Sequence, residues 1–179
     1  MFSIDFTLGN GWILSLLLII ISYTPMALGG KAAKRLTNFS WMSKKNYVYS
    51  SLILLISILF LIIPVFSSIT GNKVLLIIGV SLLVIGSIGT VVSFHNYLTT
   101  PLNELITKGM YQISRNPIYI FVFIVTTGMA VLCTSYVMAI GLILYFLLQH
   151  SIIIEEEWFC KENFDDKYEK YKKRTRRYL

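Results

Sequence analysis

Residues 74–94 read VLLIIGVSLLVIGSIGTVVSF and carry no charged side chain. A helix needs about 20 mainly apolar residues to cross a bilayer, because its backbone must satisfy its own hydrogen bonds within the hydrocarbon. The stretch is long enough, and it therefore predicts a transmembrane helix. Its glycines, Gly79, Gly86 and Gly89, predict a place where a second helix approaches closely.

Similar apolar stretches lie on both sides of this one. Together, the predicted spans are residues 12–28, 47–66, 74–94, 117–132 and 137–154. The whole chain is 55% hydrophobic, whereas an ordinary soluble domain is about 45–50% apolar. We therefore expect an all-α, polytopic membrane protein with about five transmembrane helices. The last two are predicted to form a hairpin around the short turn 133–136.

The basic residues predict how the chain is oriented. Fifteen of the sixteen lysine and arginine residues fall on one side of the predicted spans, and only Lys73 falls on the other. Such residues concentrate in the cytoplasmic loops of membrane proteins, so we expect the amino terminus outside and the carboxyl terminus in the cytoplasm. Because they flank apolar stretches and do not cover a soluble face, we expect no nucleic-acid partner.

The tail after the last apolar stretch has the composition of a soluble protein. Its aromatic residues recur at helical spacing between charged ones, at Trp158, Phe164, Tyr168, Tyr171 and Tyr178. This pattern predicts a cytoplasmic C-terminal amphipathic helix. The chain then divides into a transmembrane helical domain, residues 1–154, and a cytoplasmic tail, residues 155–179.

Polar residues at the cytoplasmic ends of the predicted helices are expected to surround one pocket. They are His95, Asn96, Arg115, Asn116, Gln149, His150, Glu155, Glu156 and Glu157. Ionisable side chains are costly in a membrane, which favours a functional role for those that are kept. Simpler explanations stay open: Arg115 as an interfacial arginine on lipid phosphate, and His150 as a hydrogen-bonded histidine at a helix end. At most two of the three glutamates can point towards one site.

Two stretches within about the last eighty residues resemble a known family. LITKGMYQISRNPIY, residues 105–119, and HSIIIEEEWFCKENFDDKYEKYKKRTRRYL, residues 150–179, are similar to motifs of isoprenylcysteine carboxyl methyltransferases and phospholipid methyltransferases. The first stretch matches at Gly109, Tyr111, Arg115, Pro117 and Tyr119. The second aligns Glu156 and Glu157 with paired glutamates of the family. Asn116 stands where many members have histidine, and Asp165 stands where glycine usually follows phenylalanine.

The resemblance implies an all-α membrane methyltransferase that uses S-adenosylmethionine, with the tail completing the cofactor site. The implied cofactor-binding residues are Gly109, Tyr111, Arg115, Asn116, Pro117, Tyr119, His150 and Glu156. The implied catalytic residues are Arg115 for a carboxylate, Glu157 for proton acceptance from a hydroxyl or ammonium, and Arg174 for an anionic substrate group. Cys133 and Cys160 lack metal-ligand spacing, so no metal is expected.

The identity of the methyl acceptor stays open. The resemblance implies an amphiphilic acceptor in the bilayer, with carboxyl or other O-methylation expected first, as on a prenylated cysteine. N-methylation of a phospholipid amine is the alternative reaction. A function of another class is also open: a non-enzymatic membrane subunit that binds lipid head groups or a partner protein.

Overall fold

The computed structural model describes residues 9–179. Within them, extended pairing is confined to isolated β-bridges, Asn10 with Ser68 and Ser114 with Arg176. The helices are α1 (Trp12–Leu28), α2 (Gly30–Ala33), α3 (Lys44–Val65), α4 (Lys73–Leu98), α5 (Pro117–Leu132) and α6 (Tyr136–Arg174). Short 3-10 helices, Lys34–Thr37 and Gly109–Gln112, lie in the connections. The predicted all-α fold is confirmed.

Three of the described helices, α3, α4 and α6, are long and apolar enough to cross a membrane. Two apolar helices are shorter, Trp12–Pro25 within α1 and Pro117–Leu132, which is α5. Large apolar side chains cover the outer surface, among them Leu55, Ile77 and Ile143 with exposures of 59%, 67% and 62%. Such a surface suits hydrocarbon and not water. The chain is a polytopic helical membrane protein, and its five crossings stay a prediction.

Local sequence signals account for several helix ends. Ser43, Asn72 and Ser135 precede α3, α4 and α6, and each side chain accepts a hydrogen bond from a backbone amide of the first turn. These caps satisfy amides that have no partner inside the helix. α1 contains Pro25 and ends one residue before Gly29. The bounds of α1 and α5 coincide with the predicted spans.

The helices pack as two main pairs. Within the described chain, α4 and α5 form the most extensive contact, whereas α6 packs chiefly on α3, and α1 contacts both α3 and α4. Val125, Met129 and Met138 have almost no exposed surface and lie in the central core. The turn between α5 and α6 is as short as predicted. Nevertheless, α5 has its largest contact with α4, and α6 has its largest contact with α3, so the hairpin partners contact each other less.

Glycines allow α4 and α5 to approach each other. A Cβ atom on Gly79 would lie 2.6 Å from a leucine side chain of α5, and one on Gly86 would lie 2.7 Å from the backbone nitrogen of Val125. A Cβ on Gly89 would overlap the ring of Phe121. At Gly86 the obstacle is backbone, so α4 and α5 would have to separate, whereas at Gly79 and Gly89 the nearest atoms are side chains of α5. The predicted close contact at the three glycines is confirmed.

Helix α6 continues without a break from the apolar stretch into the first part of the tail, as far as Asp165. The chain kinks sharply at Asp165, where φ is 37° and ψ is −115°, and a second helical stretch follows to Arg174. Residues with a side chain rarely adopt this conformation, whereas glycine adopts it at little steric cost. Asp165 therefore carries backbone strain at the position where the family usually has glycine.

The amphipathic character of the tail is confirmed at Tyr168 and Tyr171, whereas Tyr178 lies beyond the end of α6. Tyr168 and Tyr171 are 3% and 4% exposed, and their rings pack edge to face. Trp158, which the helical spacing grouped with them, is 56% exposed. The buried tyrosines attach the end of α6 to the rest of the bundle.

We expect Gly86→Ala to lower the free energy of unfolding by about 1–3 kcal/mol, because the new methyl group overpacks the contact with α5. Gly71→Ala is the matched control, since nothing lies within 4 Å of a Cβ at that position. Unfolding of both variants by denaturant in one detergent measures the difference. Equal stability of the two variants would contradict the packing described for α4 and α5.

We expect Asp165→Gly to raise the free energy of unfolding by up to about 1 kcal/mol, since it relieves the strain of a positive φ. Asp166→Gly is the control, because Asp166 is helical and glycine there should cost about 0.5–1 kcal/mol. Melting temperatures measured in the same detergent should therefore shift in opposite directions. A loss of stability in both variants would show that the bend is not strained.

Candidate active site

A large cavity opens at the end of the bundle where α4 ends and α5 begins. Its volume is about 830 Å³, within the range of roughly 300–1,000 Å³ that is typical of small-molecule sites. Its walls come from the connections before α3 and before α5, from the end of α4, from the start of α5 and from α6. The predicted site residues that line it are Tyr111, Arg115, Asn116, Tyr119, Glu156 and Glu157.

Glu157 lies at the centre of a buried cluster of charges. Nη2 of Arg115 is 3.2 Å from its carboxylate, and Arg177 donates to both oxygens, from Nε and Nη2 at 3.1 Å each. Nδ2 of Asn116 donates at 3.1 Å. The hydrogen bonds to Glu157 raise the pKa of Arg177. With both oxygens engaged, Glu157 is better placed to hold Arg115 than to accept a proton.

Glu156 has a simpler environment. The hydroxyl of Tyr119 donates to its Oε2 at 2.9 Å, and this is its hydrogen-bond partner within the described chain. Burial raises the pKa of Glu156, the hydrogen bond from Tyr119 opposes that rise, and the charge of Glu157 adds to it. Glu156 keeps some exposed surface, but a carboxylate that is largely removed from water and has no cation is still costly. A positively charged ligand group in the cavity would offset this cost.

Glu155 is directed away from the cavity and towards α3. Its carboxylate accepts hydrogen bonds from the amide of Ser43 at 2.8 Å, from the hydroxyl of Ser43 at 3.1 Å and from Nδ2 of Asn46 at 2.5 Å. It thereby fastens the start of α3 to α6. Of the three consecutive glutamates, Glu156 and Glu157 face the cavity, which is the maximum that helical geometry allows.

Gly109 shapes the chain beside the cavity. Its φ is 58°, and a Cβ there would overlap the side chain of Asn96. Oδ1 of Asn96 accepts a hydrogen bond from the amide of Met110 at 3.0 Å, and the carbonyl of Tyr111 accepts one from the hydroxyl of Tyr171 at 2.6 Å. Gly109 does not line the cavity itself. Its contribution is the turn that places Tyr111 in the wall.

The segment after α6, residues 175–179, runs beside the start of α5. The backbone amide of Arg115 donates to the carbonyl of Arg176 at 2.9 Å, and the hydroxyl of Ser114 donates to the carbonyl of Arg177 at 2.9 Å. These bonds bring the guanidinium of Arg177 to Glu157. The charge cluster therefore joins α5, α6 and this segment.

A second cavity, of about 280 Å³, borders the large one at Tyr119 and Gln149, which line both. His150 lines this second cavity and not the large one. Its Nδ1 lies 2.5 Å from the hydroxyl of Tyr178. The structure therefore places His150 in a different cavity from Arg115, Asn116 and Glu156, whereas Tyr119 lines both cavities.

Several residues differ from the sequence-based expectation. Pro117 is buried as the first residue of α5 and fixes the start of that helix, whereas Arg174 is exposed at the end of α6; neither lines a cavity described above. The arginine of this region that joins the charge cluster is Arg177, which pairs with Glu157 and lines neither cavity. A run of basic residues gives no signal that distinguishes Arg177 from Arg174. Arg35, 5.5 Å above the ring of Tyr97, also lines the large cavity. Arg35 lies far in sequence from both family-like stretches, so residue spacing does not predict its place in the cavity wall.

Two polar atoms of the large cavity's lining residues lack hydrogen-bond partners in the part of the chain that the structure describes. They are Nε of Arg115 and the hydroxyl of Tyr168, whose side chains are 7% and 3% exposed. Buried polar groups nearly always have partners, so a ligand with acceptor atoms would complete them. S-adenosylmethionine offers a carboxylate to Arg115 and positive groups to Glu156, and these residues fit it. Residues 9–179 bring together no group of three side chains suited to a metal.

Fold and site together define a polytopic membrane protein with a charged, ligand-sized cavity at one end of its helical bundle. A family model described as phospholipid methyltransferase matches residues 67–167, more than half of the chain, and the protein belongs to that family. The match includes the stretch 105–119 and the glutamates of α6, so the resemblance is confirmed. No curated protein and no solved structure matches the chain.

We expect Glu157→Ala to lower the free energy of unfolding by about 3–5 kcal/mol, because it leaves the buried guanidinium of Arg115 without a counter-charge. Glu169→Ala is the control, since its ion pair with Lys161 is exposed and should contribute at most about 1 kcal/mol. Chemical unfolding in detergent compares the two. Similar losses would mean that the Glu157 cluster does not hold the helix ends together.

Proposed function

We propose that the protein transfers a methyl group from S-adenosylmethionine to a lipid-like acceptor held in the membrane. The observation that carries this proposal is the pair of unsatisfied buried atoms, on Arg115 and Tyr168, in the lining of a cavity that also contains the carboxylate of Glu156. Membership of a phospholipid methyltransferase family supports the same reaction class.

When bound, S-adenosylmethionine supplies a methyl group on a positively charged sulfur. In this proposal Arg115 holds its carboxylate through the free Nε, while Glu157, Arg177 and Asn116 keep the guanidinium in place. Glu156 attracts the positive groups. Holding donor and acceptor in line accounts for on the order of 7–11 kcal/mol of a barrier, so positioning is the main contribution required of these residues.

The acceptor in this proposal is amphiphilic and enters from the bilayer. The family description favours a phospholipid, with its amine as the methylated group, over a prenylated carboxylate, whose O-methylation is the second candidate. We place the carboxyl terminus and the large cavity on the cytoplasmic side, on the strength of the basic residues that surround this end. A soluble methyl donor then reaches the cavity from the cytoplasm.

A non-enzymatic lipid-binding or partner-binding subunit is the alternative of another class. It would use the same charged helix ends to hold lipid head groups. Such a subunit needs no affinity for S-adenosylmethionine. If the wild-type protein binds the methyl donor weakly for another reason, substitution of Glu156 should leave that binding unchanged. Binding of the methyl donor therefore separates the two functions directly.

We expect purified protein in nanodiscs to bind S-adenosylmethionine at one site. Arg115→Lys and Glu156→Gln should each weaken binding by roughly 10- to 150-fold, the equivalent of a charged hydrogen bond worth about 1.5–3 kcal/mol. Glu162→Gln is the control on the same helix, because Glu162 is exposed and does not line the cavity. Isothermal titration calorimetry measures all four proteins.

Absence of binding by folded wild-type protein, in both detergent and lipid, would overturn the proposed reaction. It would leave the non-enzymatic subunit as the better account. If Glu156→Gln has the same affinity for the methyl donor as wild type, Glu156 does not contact the donor.

A further inference from the structure

The second cavity differs in chemistry from the large one. The side chains that line it are mostly apolar or aromatic, and none of them is charged. Phe146 lines it and is 44% exposed on the apolar outer surface of α6, so the cavity borders the surface that faces lipid. A carboxylate or an ammonium that entered here would meet no side chain of opposite charge, so a charged group would be costly to bury unless it became neutral.

His150 is held at one ring nitrogen only. Nδ1 pairs with the hydroxyl of Tyr178, and the ring packs near Phe146 with 6.4 Å between ring centroids. Nε2 makes no hydrogen bond within the described chain. When Nδ1 carries the proton and donates to Tyr178, Nε2 has a free lone pair. The hydrogen bond at Nδ1 thus leaves Nε2 free to accept a proton.

The position of His150 matters because the two cavities meet at Tyr119 and Gln149. A methyl donor in the large cavity and an acceptor in the second one would face each other across this shared boundary. Glu157 is fully engaged by arginines, and Glu156 belongs to the large cavity. His150 is therefore the proton acceptor that the second cavity offers.

We propose that the second cavity admits the amine head group of a phospholipid, and that His150 is a catalytic residue that takes the proton of this amine. Tyr178 is the positioning residue that fixes the imidazole. The inference rests on the proposed function and goes beyond it by separating acceptor chemistry from donor binding. The titratable side chains that line this cavity besides His150 are Tyr119 of α5, Tyr145 of α6 and Tyr178.

Methyl transfer to the lipid amine begins with loss of a proton. The ammonium of the lipid gives one proton to Nε2 of His150 and becomes an amine with a free electron pair. That pair forms the new N–C bond while the S–C bond breaks and its electrons stay on sulfur. The half-buried His150 then returns the proton to water at the interface.

The test measures donor binding and methyl transfer on the same proteins in nanodiscs. Transfer is followed with methyl-labelled S-adenosylmethionine and phosphatidylethanolamine, with phosphatidylcholine, whose nitrogen carries no proton, as the blank. His150→Gln should lower kcat by roughly 10²–10⁴-fold and leave the Kd of the donor unchanged. Imidazole in solution should restore part of the kcat of His150→Ala, because it fills the vacated space. His95→Gln is the matched control, since His95 is exposed and lines neither cavity.

Tyr178→Phe should lower kcat about tenfold, a loss typical of one hydrogen bond, with the KM for the phospholipid unchanged. Three results would overturn the inference: unchanged kcat in His150→Gln, weaker donor binding in His150→Gln, or donor binding by wild type without transfer to phosphatidylethanolamine. Failure of wild type to bind the donor would instead overturn the proposed function, so the two failures are distinguishable.

Discussion

The carboxylate of Glu157 between Arg115 and Arg177 is the contact on which this end of the molecule depends. It joins the start of α5, the middle of α6 and the segment after α6, which no backbone ladder connects over more than a few residues. Two guanidinium groups surround one carboxylate, and the side chain of Arg115 is 7% exposed whereas that of Arg177 is 34% exposed. The excess of positive charge favours further anions nearby, and both the carboxylate of Glu156 and a cavity of 830 Å³ lie next to it. The structural cluster and the candidate ligand site are therefore parts of one electrostatic arrangement.

The sequence predicts the helices well because the bilayer imposes their length. The bounds of α1 and α5 agree with the predicted spans, since glycines flank α1 at both ends and Pro117 marks the start of α5. The continuity of α6 through the tail was not predictable in the same way. Charged residues mark where an apolar span stops, but they do not stop a helix. The bend at Asp165 depends on a positive φ, which the presence of an aspartate does not predict.

The candidate site was only partly predictable from the sequence. Six of the predicted residues line the large cavity, whereas Gly109, Pro117, His150 and Arg174 do not. Spacing on a helix places Glu156 and Glu157 near one face, and the structure agrees. Helical spacing gives no information about the side chains of α5 beside these glutamates, so the placement of His150 and Arg115 in different cavities is a tertiary property. The pairing of Arg177 with Glu157 was even less predictable. The two residues are 20 positions apart, and several other arginines precede Arg177 in the chain.

The continuity of α6 has a further physical consequence. One helix carries both lipid-facing side chains, such as Ile143, and the glutamates of the site, without an intervening joint before Asp165. Each residue of a helix advances the chain by about 1.5 Å, so the depth of the apolar part fixes the height of Glu156 relative to the lipid phosphates. Membranes differ in thickness by a few Å, and helices adjust to this by tilting. In a bilayer that is thicker or thinner by a few Å, the tilt of α6 therefore decides which layer of the lipid Glu156 meets.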